Sequence, residues 1–151
     1  MEAYDVAHLR GGSNVGVMTV VEDGLANKNE YRKFVIKKAK PGDDVGALRE
    51  ILSRRLGHDE WPMPRLIVVD GSVAQLNAAH KVLSEYGVRI PVLGVTKDEK
   101  HRPRAIQGWD ELGRTSTLLG INEHDILLAN AEAHRFAITF HRKLRSKQMG
   151  L

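Results

Sequence analysis

Alternating apolar and polar positions mark the beginning of the chain. The segments Glu2 to Leu9, Val15 to Val21 and Tyr31 to Lys37 either alternate or are rich in β-branched residues, and each predicts a strand. Gly11-Gly12 and Asp23-Gly24 lie between them and are typical turn pairs. Because strands joined by short polar turns pair with their neighbours, we expect an antiparallel meander of three strands.

The spacing of apolar residues then changes from every second residue to every third or fourth residue. Pro41-Gly42-Asp43-Asp44 supplies a chain break and a helix N-cap, and Gly57 ends the helix predicted there. The stripe that this helix buries consists of Val45, Leu48, Ile51, Leu52 and Leu56. A second helix follows Asp70-Gly71-Ser72 and ends at Gly87. Its inward positions are Leu76, Ala79, Val82 and Leu83.

Two short apolar runs, Leu66 to Val69 and Pro91 to Val95, predict strands that are buried on both faces. Residues 97–114 lack a regular pattern and predict a loop or hairpin. The last helix begins after Asn122, a capable N-cap, and runs to near the C-terminus. Its repeating stripe comprises Ile126, Leu127, Ala131, His134, Ala137, Ile138 and His141. The order βββ-α-β-α-β-α indicates a single α/β domain over residues 1–151, a mixed sheet with helices packed on it.

Composition narrows the possible chemistry. The chain contains no cysteine, so disulfides and thiolate metal sites are excluded, and hard cations such as Mg²⁺ or Mn²⁺ are the favoured metals. A chain of 151 residues suffices for one domain with a real core. The longest apolar runs are too short to cross a bilayer, and the N-terminus lacks the pattern of a signal peptide. We therefore expect a cytoplasmic protein without a membrane association.

The distribution of charge is more informative than the net charge of +4. After His134 the chain has no acidic residue but five basic ones, Arg135, Arg142, Lys143, Arg145 and Lys147. A second basic group lies in the irregular segment and consists of Lys97, Lys100, Arg102 and Arg104. Such groups fit a polyanionic partner such as DNA, and equally fit ordinary solvated surfaces.

Three residues distant in sequence are candidates for a metal centre. Asp5 lies within a predicted strand, where a carboxylate is unfavourable unless it faces a cleft, a cation or a hydrogen-bond partner. Asp70 ends a predicted buried strand, where α/β proteins bind ligands, although it is also placed to cap the next helix. His134 lies on the apolar face of the last helix and, taken alone, fits a hydrogen-bonded core histidine better. If the two strands are neighbours, the carboxylates converge and a divalent cation would remove their repulsion.

Several segments make the sequence recognisable. In chain order these are Ala3-Tyr4-Asp5-Val6-Ala7-His8, Tyr31-Arg32-Lys33-Phe34, Pro41-Gly42-Asp43-Asp44, Leu66 to Gly71, Gln75-Leu76-Asn77-Ala78-Ala79, and Glu132-Ala133-His134-Arg135-Phe136-Ala137-Ile138-Thr139-Phe140-His141-Arg142. Through them, the whole chain resembles the C-terminal nuclease domain of UvrC, the incision subunit of bacterial nucleotide excision repair.

The resemblance implies an RNase H-like fold and a catalytic Asp-Asp-His set at Asp5, Asp70 and His134, which would also bind Mg²⁺ or Mn²⁺. It implies a metal-dependent endonuclease that cuts DNA on the 5′ side of a lesion and leaves a 3′ hydroxyl, as part of the response to DNA damage. The expected partners are DNA and, in a full-length context, UvrA and UvrB. The residues that we expect to contact DNA are Gln75, Arg135, Arg142 and Lys143.

The sequence also departs from the family pattern. Where the family has Gly-Gly-Lys-Gly-Gln after the second aspartate, this chain has Gly71-Ser72-Val73-Ala74-Gln75, so that Val73 replaces a lysine. Weaker DNA contact, altered metal preference and lost activity are all open. The other domains of full-length UvrC are not found in this chain, which predicts an excised domain, with a short stand-alone relative as the open alternative. In either case we expect weak DNA affinity, and for an excised domain we expect a monomer.

Two alternative functions also stay open. One is an RNase H-like domain that binds DNA or a repair partner without cutting. The other is a nuclease that acts on RNA or on deaminated bases. For the neighbours of the candidate site, we expect Glu132 to be solvated. We expect His8 to be structural, because strand alternation points it away from Asp5.

Overall fold

A computed structural model describes residues 1–8, 14–100, 103–110, 112 and 120–148. Side chains are described for these residues except 103–104, 140–141 and 143–148. The sheet contains strands β1 (Glu2–His8), β2 (Asn14–Glu22), β3 (Leu25–Ala26), β4 (Arg32–Val35), β5 (Ile67–Asp70), β6 (Val92–Lys97) and β7 (Pro103–Gln107). A single 3-10 turn, Lys28–Glu30, precedes β4.

The sheet combines antiparallel and parallel pairings. Its strand order is β3-β2-β1-β5-β6-β7, and β4 pairs with β2 beside β3. Strands β1, β2 and β4 form the predicted antiparallel meander, and β3 is a short addition to it. Strands β1, β5 and β6 are parallel, as their buried apolar runs predict. Strand β7 returns antiparallel to β6, so the hairpin alternative for residues 97–114 is confirmed in its first part.

Three helices begin where the sequence predicts. The Asp43 carboxylate accepts a hydrogen bond of 2.9 Å from the backbone N–H of Gly46 and caps α1 (Asp44–Leu56). Ser72 and Gln75 form a capping box at the start of α2 (Val73–Glu85). Asn122 Oδ1 accepts a 2.9 Å hydrogen bond from the backbone N–H of Asp125 at the start of α3 (Glu123–Gln148).

The helices cover the two faces of the sheet. Helices α1 and α2 pack against one face, and α3 packs against the other. The buried stripe of α3 consists of Ile126, Ala129, Ala133 and Ala137. The predicted stripe was therefore wrong at Ala131 and His134, which are exposed, because the face that packs on the sheet runs through Ala129 and Ala133 instead. Within the described part of the chain, no helix is long and apolar enough to cross a membrane.

One charged pair is buried within the core. Glu2 is 4% exposed and Arg55 1%. The guanidinium donates from Nε to Glu2 Oε1 at 2.8 Å and from Nη2 to Glu2 Oε2 at 2.8 Å, and Nη2 also reaches the carbonyl oxygen of Pro62 at 2.7 Å. The hydroxyl of Tyr4 donates to Glu2 as well. Every hydrogen-bonding edge of this pair is used, so the pair fixes α1 to β1.

Candidate metal centre

The pairing of β1 with β5 brings two aspartates together. In this parallel pair Tyr4 lies opposite Val69, so that the next residues, Asp5 and Asp70, are neighbours across the two strands. Asp5 is 7% exposed, and Asp70 is the last residue of β5. The convergence expected from neighbouring strands is confirmed. Asp70 does not cap α2, because Ser72 occupies that position.

The third predicted residue, His134, approaches the two aspartates from α3. His134 lies on α3, which packs over β1, and its Nδ1 is 3.1 Å from Oδ2 of Asp5. The side chain of His134 is 48% exposed, so the alternative of a core histidine is wrong. The structure therefore brings Asp5, Asp70 and His134 into one cluster, with Asp5 in the middle.

A fourth member of this cluster is Lys97, whose Nζ lies 2.9 Å from Oδ1 of Asp70. The sequence assigned Lys97 to a basic loop, but β6 continues to this residue. Strand register contained the missing signal. Val95 pairs with Asp70, and Lys97 follows two residues later on the same side of the strand. The buried strand β6 pairs with β5, which ends in Asp70. A lysine at the end of such a neighbouring strand is placed to form an ion pair with the aspartate.

Burial and mutual repulsion dominate the electrostatics of the cluster. Desolvation, and then the negative charge of Asp70, raise the pKa of Asp5 from 3.8 to about 7, although Lys97 acts in the opposite direction. Desolvation and the charge of Lys97 lower the pKa of His134. His134 is therefore neutral near pH 7, the state in which an imidazole binds a metal. Asp5 is therefore only partly ionised at neutral pH.

These residues fit a divalent cation in their chemistry. Two carboxylates and an imidazole are ligands that hard to borderline metals accept, and a cation would relieve the repulsion that raises the pKa of Asp5. The fit is not preassembled. Among the described residues, no three acidic or histidine side chains converge closely enough to hold a metal as they stand. Instead, His134 bonds to Asp5 and Lys97 bonds to Asp70.

The carboxylates also face a small cavity at the end of β1. Its lining consists of Tyr4, Asp5, Val6, Asp44, Leu48, Asp70 and Gln75. At its rim, His8 bonds to Asp44 through Nε2 and lies 2.7 Å from Oδ1 of Asn14 through Nδ1. The hydrogen bond with Asn14 is the main cause that raises the pKa of His8. His8 thus ties β1 to β2 and α1, in agreement with the structural role predicted for it.

The residues predicted to contact DNA differ in their surroundings. Gln75 uses its Oε1 to accept hydrogen bonds from the backbone N–H of Ser72 at 3.0 Å and its hydroxyl at 3.2 Å. Arg135 and Arg142 are exposed on α3, and the side chain of Lys143 lies outside the described residues. DNA contact by these four residues stays a prediction.

Glu132 is not solvated, contrary to the sequence prediction. Its side chain is 16% exposed. Oε1 accepts a 2.7 Å hydrogen bond from the hydroxyl of Tyr31, and Oε2 accepts one of 2.7 Å from Nε of Arg135. The prediction considered only the position of Glu132 on its own helix, whereas Tyr31 comes from a distant part of the chain.

The chain matches one known protein family over most of its length. Residues 1–138 match the model of the UvrC RNase H endonuclease domain. The chain belongs to this family. The RNase H-like fold inferred from the sequence is confirmed by this match together with the mixed sheet and its helices.

Curated relatives agree with the family assignment. UvrABC system protein C of Clostridium perfringens is 39% identical over 169 aligned positions, which cover 98% of this chain and 27% of the relative. The protein of the same name from Caldicellulosiruptor saccharolyticus is 40% identical over 154 positions, which cover 99% of this chain and 25% of the relative. The chain thus spans about a quarter of the length of the relatives it matches.

Two solved structures are also similar, at a lower level. One is Ciona intestinalis endonuclease V in complex with a DNA that contains an inosine, with a TM-score of 0.49 and 14% identity over 79% of this chain and 54% of the other. The second is Thermus thermophilus RuvC, with a TM-score of 0.38 and 19% identity over 90% of this chain and 94% of the other.

Proposed function

We propose that this domain is a divalent-metal-dependent endonuclease that hydrolyses a phosphodiester bond in DNA, with Asp5, Asp70 and His134 as its catalytic and metal-binding residues. The observation that carries the proposal is the pairing of the buried carboxylate of Asp5 with the partly exposed carboxylate of Asp70. Lys97 lies beside Asp70, and His134 lies beside Asp5. Membership of an endonuclease family supports the same assignment.

Asp5, Asp70 and His134 would hold Mg²⁺ or Mn²⁺. Such an ion, when bound, lowers the pKa of a water molecule and neutralises charge that develops on the phosphate. The side chains prepare the site for it. Asp5 must lose its proton, which occurs near pH 7. The pKa of His134 is lowered, chiefly by desolvation, so its imidazole is neutral near pH 7 and would be available to hold the ion together with Asp5. No covalent enzyme intermediate is required.

Lys97 has two roles in this proposal. Without metal, its ammonium group partly neutralises the carboxylate pair through the 2.9 Å contact with Asp70. With Asp70 holding a cation, the ammonium group of Lys97 would be available to contact a phosphate oxygen of the substrate. Val73 stands where the family has a lysine, and its side chain is exposed next to the site. Lys97 supplies a positive charge beside the same carboxylates, which favours retained activity over lost activity.

The wider biological role rests on the relatives. We propose that the domain makes the 5′-side incision of nucleotide excision repair in the cytoplasm, within a longer protein that acts with UvrA and UvrB on damaged DNA. The names of the curated relatives, UvrABC system protein C, support this context.

An incision assay tests the proposal. A labelled DNA bubble, a matched duplex, a single strand and an RNA of the same sequence are incubated with the domain in Mg²⁺ and in Mn²⁺. We expect cleavage of DNA, and a loss of about 10²- to 10³-fold or more in Asp5→Asn and Asp70→Asn, because each removes a charge at the reacting centre. Preferential cleavage of the RNA would assign the domain to a different substrate.

The matched control is Asp59→Asn, which removes an exposed carboxylate from the loop after α1. It should cleave like the wild type. If Asp5→Asn and Asp70→Asn bind DNA and still produce incised strands at the wild-type rate, the catalytic assignment is wrong. DNA binding without cleavage by the wild type in either metal would support the binding-only alternative.

A further inference from the structure

Strand β4 and α3 create a second polar surface next to the candidate metal centre. Asp5 pairs with Val17, and Val17 pairs with Lys33 across the next strand. Residues directly opposite each other point to the same face of a sheet, so Lys33 and Asp5 share a face at two strand spacings, about 10 Å. This is also the face on which α3 carries His134. We call the group Tyr31, Lys33, Glu132, Arg135 and Phe136 the β4–α3 surface.

Glu132 organises this surface without leaving it negatively charged. It accepts hydrogen bonds from the hydroxyl of Tyr31 at 2.7 Å, and from Nε and Nη2 of Arg135 at 2.7 and 3.0 Å. These hydrogen bonds and the ion pair with Arg135 leave the carboxylate of Glu132 paired. Because both bonds come from the Nε–Nη2 edge, the Nη1 edge of Arg135 faces away from Glu132.

An aromatic pair lies beside one of the two cations, Lys33. The rings of Tyr31 and Phe136 have centroids 5.1 Å apart and are tilted by 56°. The ammonium nitrogen of Lys33 lies 5.7 Å from the ring centroid of Phe136. The side chains of Lys33 and Arg135 are both exposed, so both are within reach of a ligand in solution.

The surface continues into a basic part of the chain. Between positions 28 and 40 there are six basic residues and one acidic residue, Glu30. The basic ones are Lys28, Arg32, Lys33, Lys37, Lys38 and Lys40. The two basic groups predicted to bind a polyanion lie from residue 97 onward, so they do not include these residues. Positive charge that extends from a nuclease centre along one sheet edge is the electrostatic pattern expected for a phosphate backbone.

We propose that the β4–α3 surface binds the backbone of the DNA strand that enters the metal centre, with Lys33 and Arg135 contacting phosphates near the one that is cut. The distance of about 10 Å between the strand positions of Lys33 and Asp5 is about three times the roughly 3.4 Å axial spacing of phosphates in one strand, so these phosphates lie within about three nucleotides of the cut. This inference rests on the proposed function for its ligand. It adds Lys33 as a DNA contact and assigns Glu132 and Tyr31 as the residues that position Arg135.

Fluorescence anisotropy in EDTA tests the surface independently of cleavage. The probe is a fluorescein-labelled DNA bubble, and the variants are Lys33→Gln and Arg135→Gln. Each should weaken binding about fivefold at roughly 0.1 M salt and reduce the slope of log K against log salt by about one, because each removes one phosphate contact. The control is Lys81→Gln, an exposed lysine on α2, which packs against the opposite face.

A second measurement separates a phosphate contact from a general effect of charge. Single methylphosphonate substitutions remove the charge of one phosphate at a time along the strand. One position should weaken binding to the wild type but not to Lys33→Gln, and the two losses should be non-additive. Thermal unfolding of each variant shows whether it is folded.

The outcomes distinguish this inference from the proposed function. Unchanged affinity and salt slope in folded Lys33→Gln and Arg135→Gln would overturn it, as would an equal loss in Lys81→Gln or no DNA binding by the wild type. If the wild type cleaves DNA and these variants bind normally, only the surface is wrong. If binding depends on Lys33 and Arg135 but no cleavage occurs, the surface stands and the nuclease proposal fails.

Discussion

Strand β1 carries two buried acidic residues, one at its start and one in its middle, and the two differ in their partners. Glu2 is 4% exposed and Asp5 is 7% exposed. They lie on opposite faces of the sheet, because one packs toward α1 and the other toward α3. Glu2 meets a guanidinium in bidentate geometry, whereas Asp5 meets a second carboxylate and a neutral histidine.

The two buried acids differ in whether the protein neutralises their charge. The Glu2–Arg55 pair has its hydrogen bonds filled by groups of the protein, so nothing further is needed there. Among the described residues, the cation that contacts this carboxylate pair is Lys97, and the pKa of Asp5 rises to about 7 as a result of burial and of Asp70. On the proposed function, this incompletely neutralised acid is where a cation from solution would bind.

Breaking the fully hydrogen-bonded pair of Glu2 and Arg55 should have the largest effect on stability. Arg55→Met leaves the carboxylate of Glu2 buried without its partner, so we expect a loss of about 3–5 kcal/mol in the free energy of unfolding, measured by urea denaturation. The double variant Glu2→Leu/Arg55→Met should recover most of that loss, because no charge remains buried. Equal stability of Arg55→Met and the wild type would show that the pair is not what fixes α1 to β1.

The incompletely neutralised pair of Asp5 and Asp70 should make the free energy of unfolding depend on pH when no metal is bound. Folded Asp5 keeps its proton up to pH about 7, whereas the unfolded chain loses it near 3.8. The folded state therefore binds more protons between these values, and raising the pH favours unfolding by up to about 1.4 kcal/mol per pH unit. The charged groups that face Asp5 are Asp70, Lys97 and His134.

The variant Asp5→Asn isolates this contribution. The difference in unfolding free energy between Asp5→Asn and the wild type should change in favour of the variant from pH 4 to pH 8, in EDTA. Asp59→Asn, in an exposed loop, should show no such trend. A difference between Asp5→Asn and the wild type that is constant over this pH range would contradict the raised pKa.

Removing Lys97 should have a smaller effect, with opposite signs in two assays. In Lys97→Met the positive charge 2.9 Å from Asp70 is lost, so Mn²⁺ should bind about tenfold more tightly at pH 8.5, where Asp5 is ionised. Incision should nevertheless be slower, because a contact to the substrate phosphate is lost. The control is Lys100→Met in the following exposed turn. Parallel losses of metal affinity and incision would indicate a merely structural role for Lys97.

Local patterns predicted much of the fold and part of the site. The helix caps at Asp43 and Asn122 depend on a few adjacent residues, and the structure confirms both, whereas α2 is capped by Ser72 and not by Asp70. The buried run before Asp70 predicted a central strand, and short turns predicted the meander. Those two features place Asp5 beside Asp70.

Other features depend on contacts between distant residues and could not be predicted in this way. Lys97 was assigned to a loop because the apolar run of β6 ends before it, while strand pairing continues. Glu132 was expected in solvent because its partner Tyr31 is 101 residues away in sequence. The pairing of Glu2 with Arg55 crosses 53 residues and has no local signature.

Titration of Mn²⁺ into the domain by calorimetry at pH 7.5 tests most directly whether the Asp5–Asp70 cluster is a metal centre. We expect saturable binding to the wild type and to Asp59→Asn, and a loss of at least about tenfold in affinity in both Asp5→Asn and Asp70→Asn. Binding to these two variants with wild-type affinity, or no saturable binding to the wild type, would contradict the assignment.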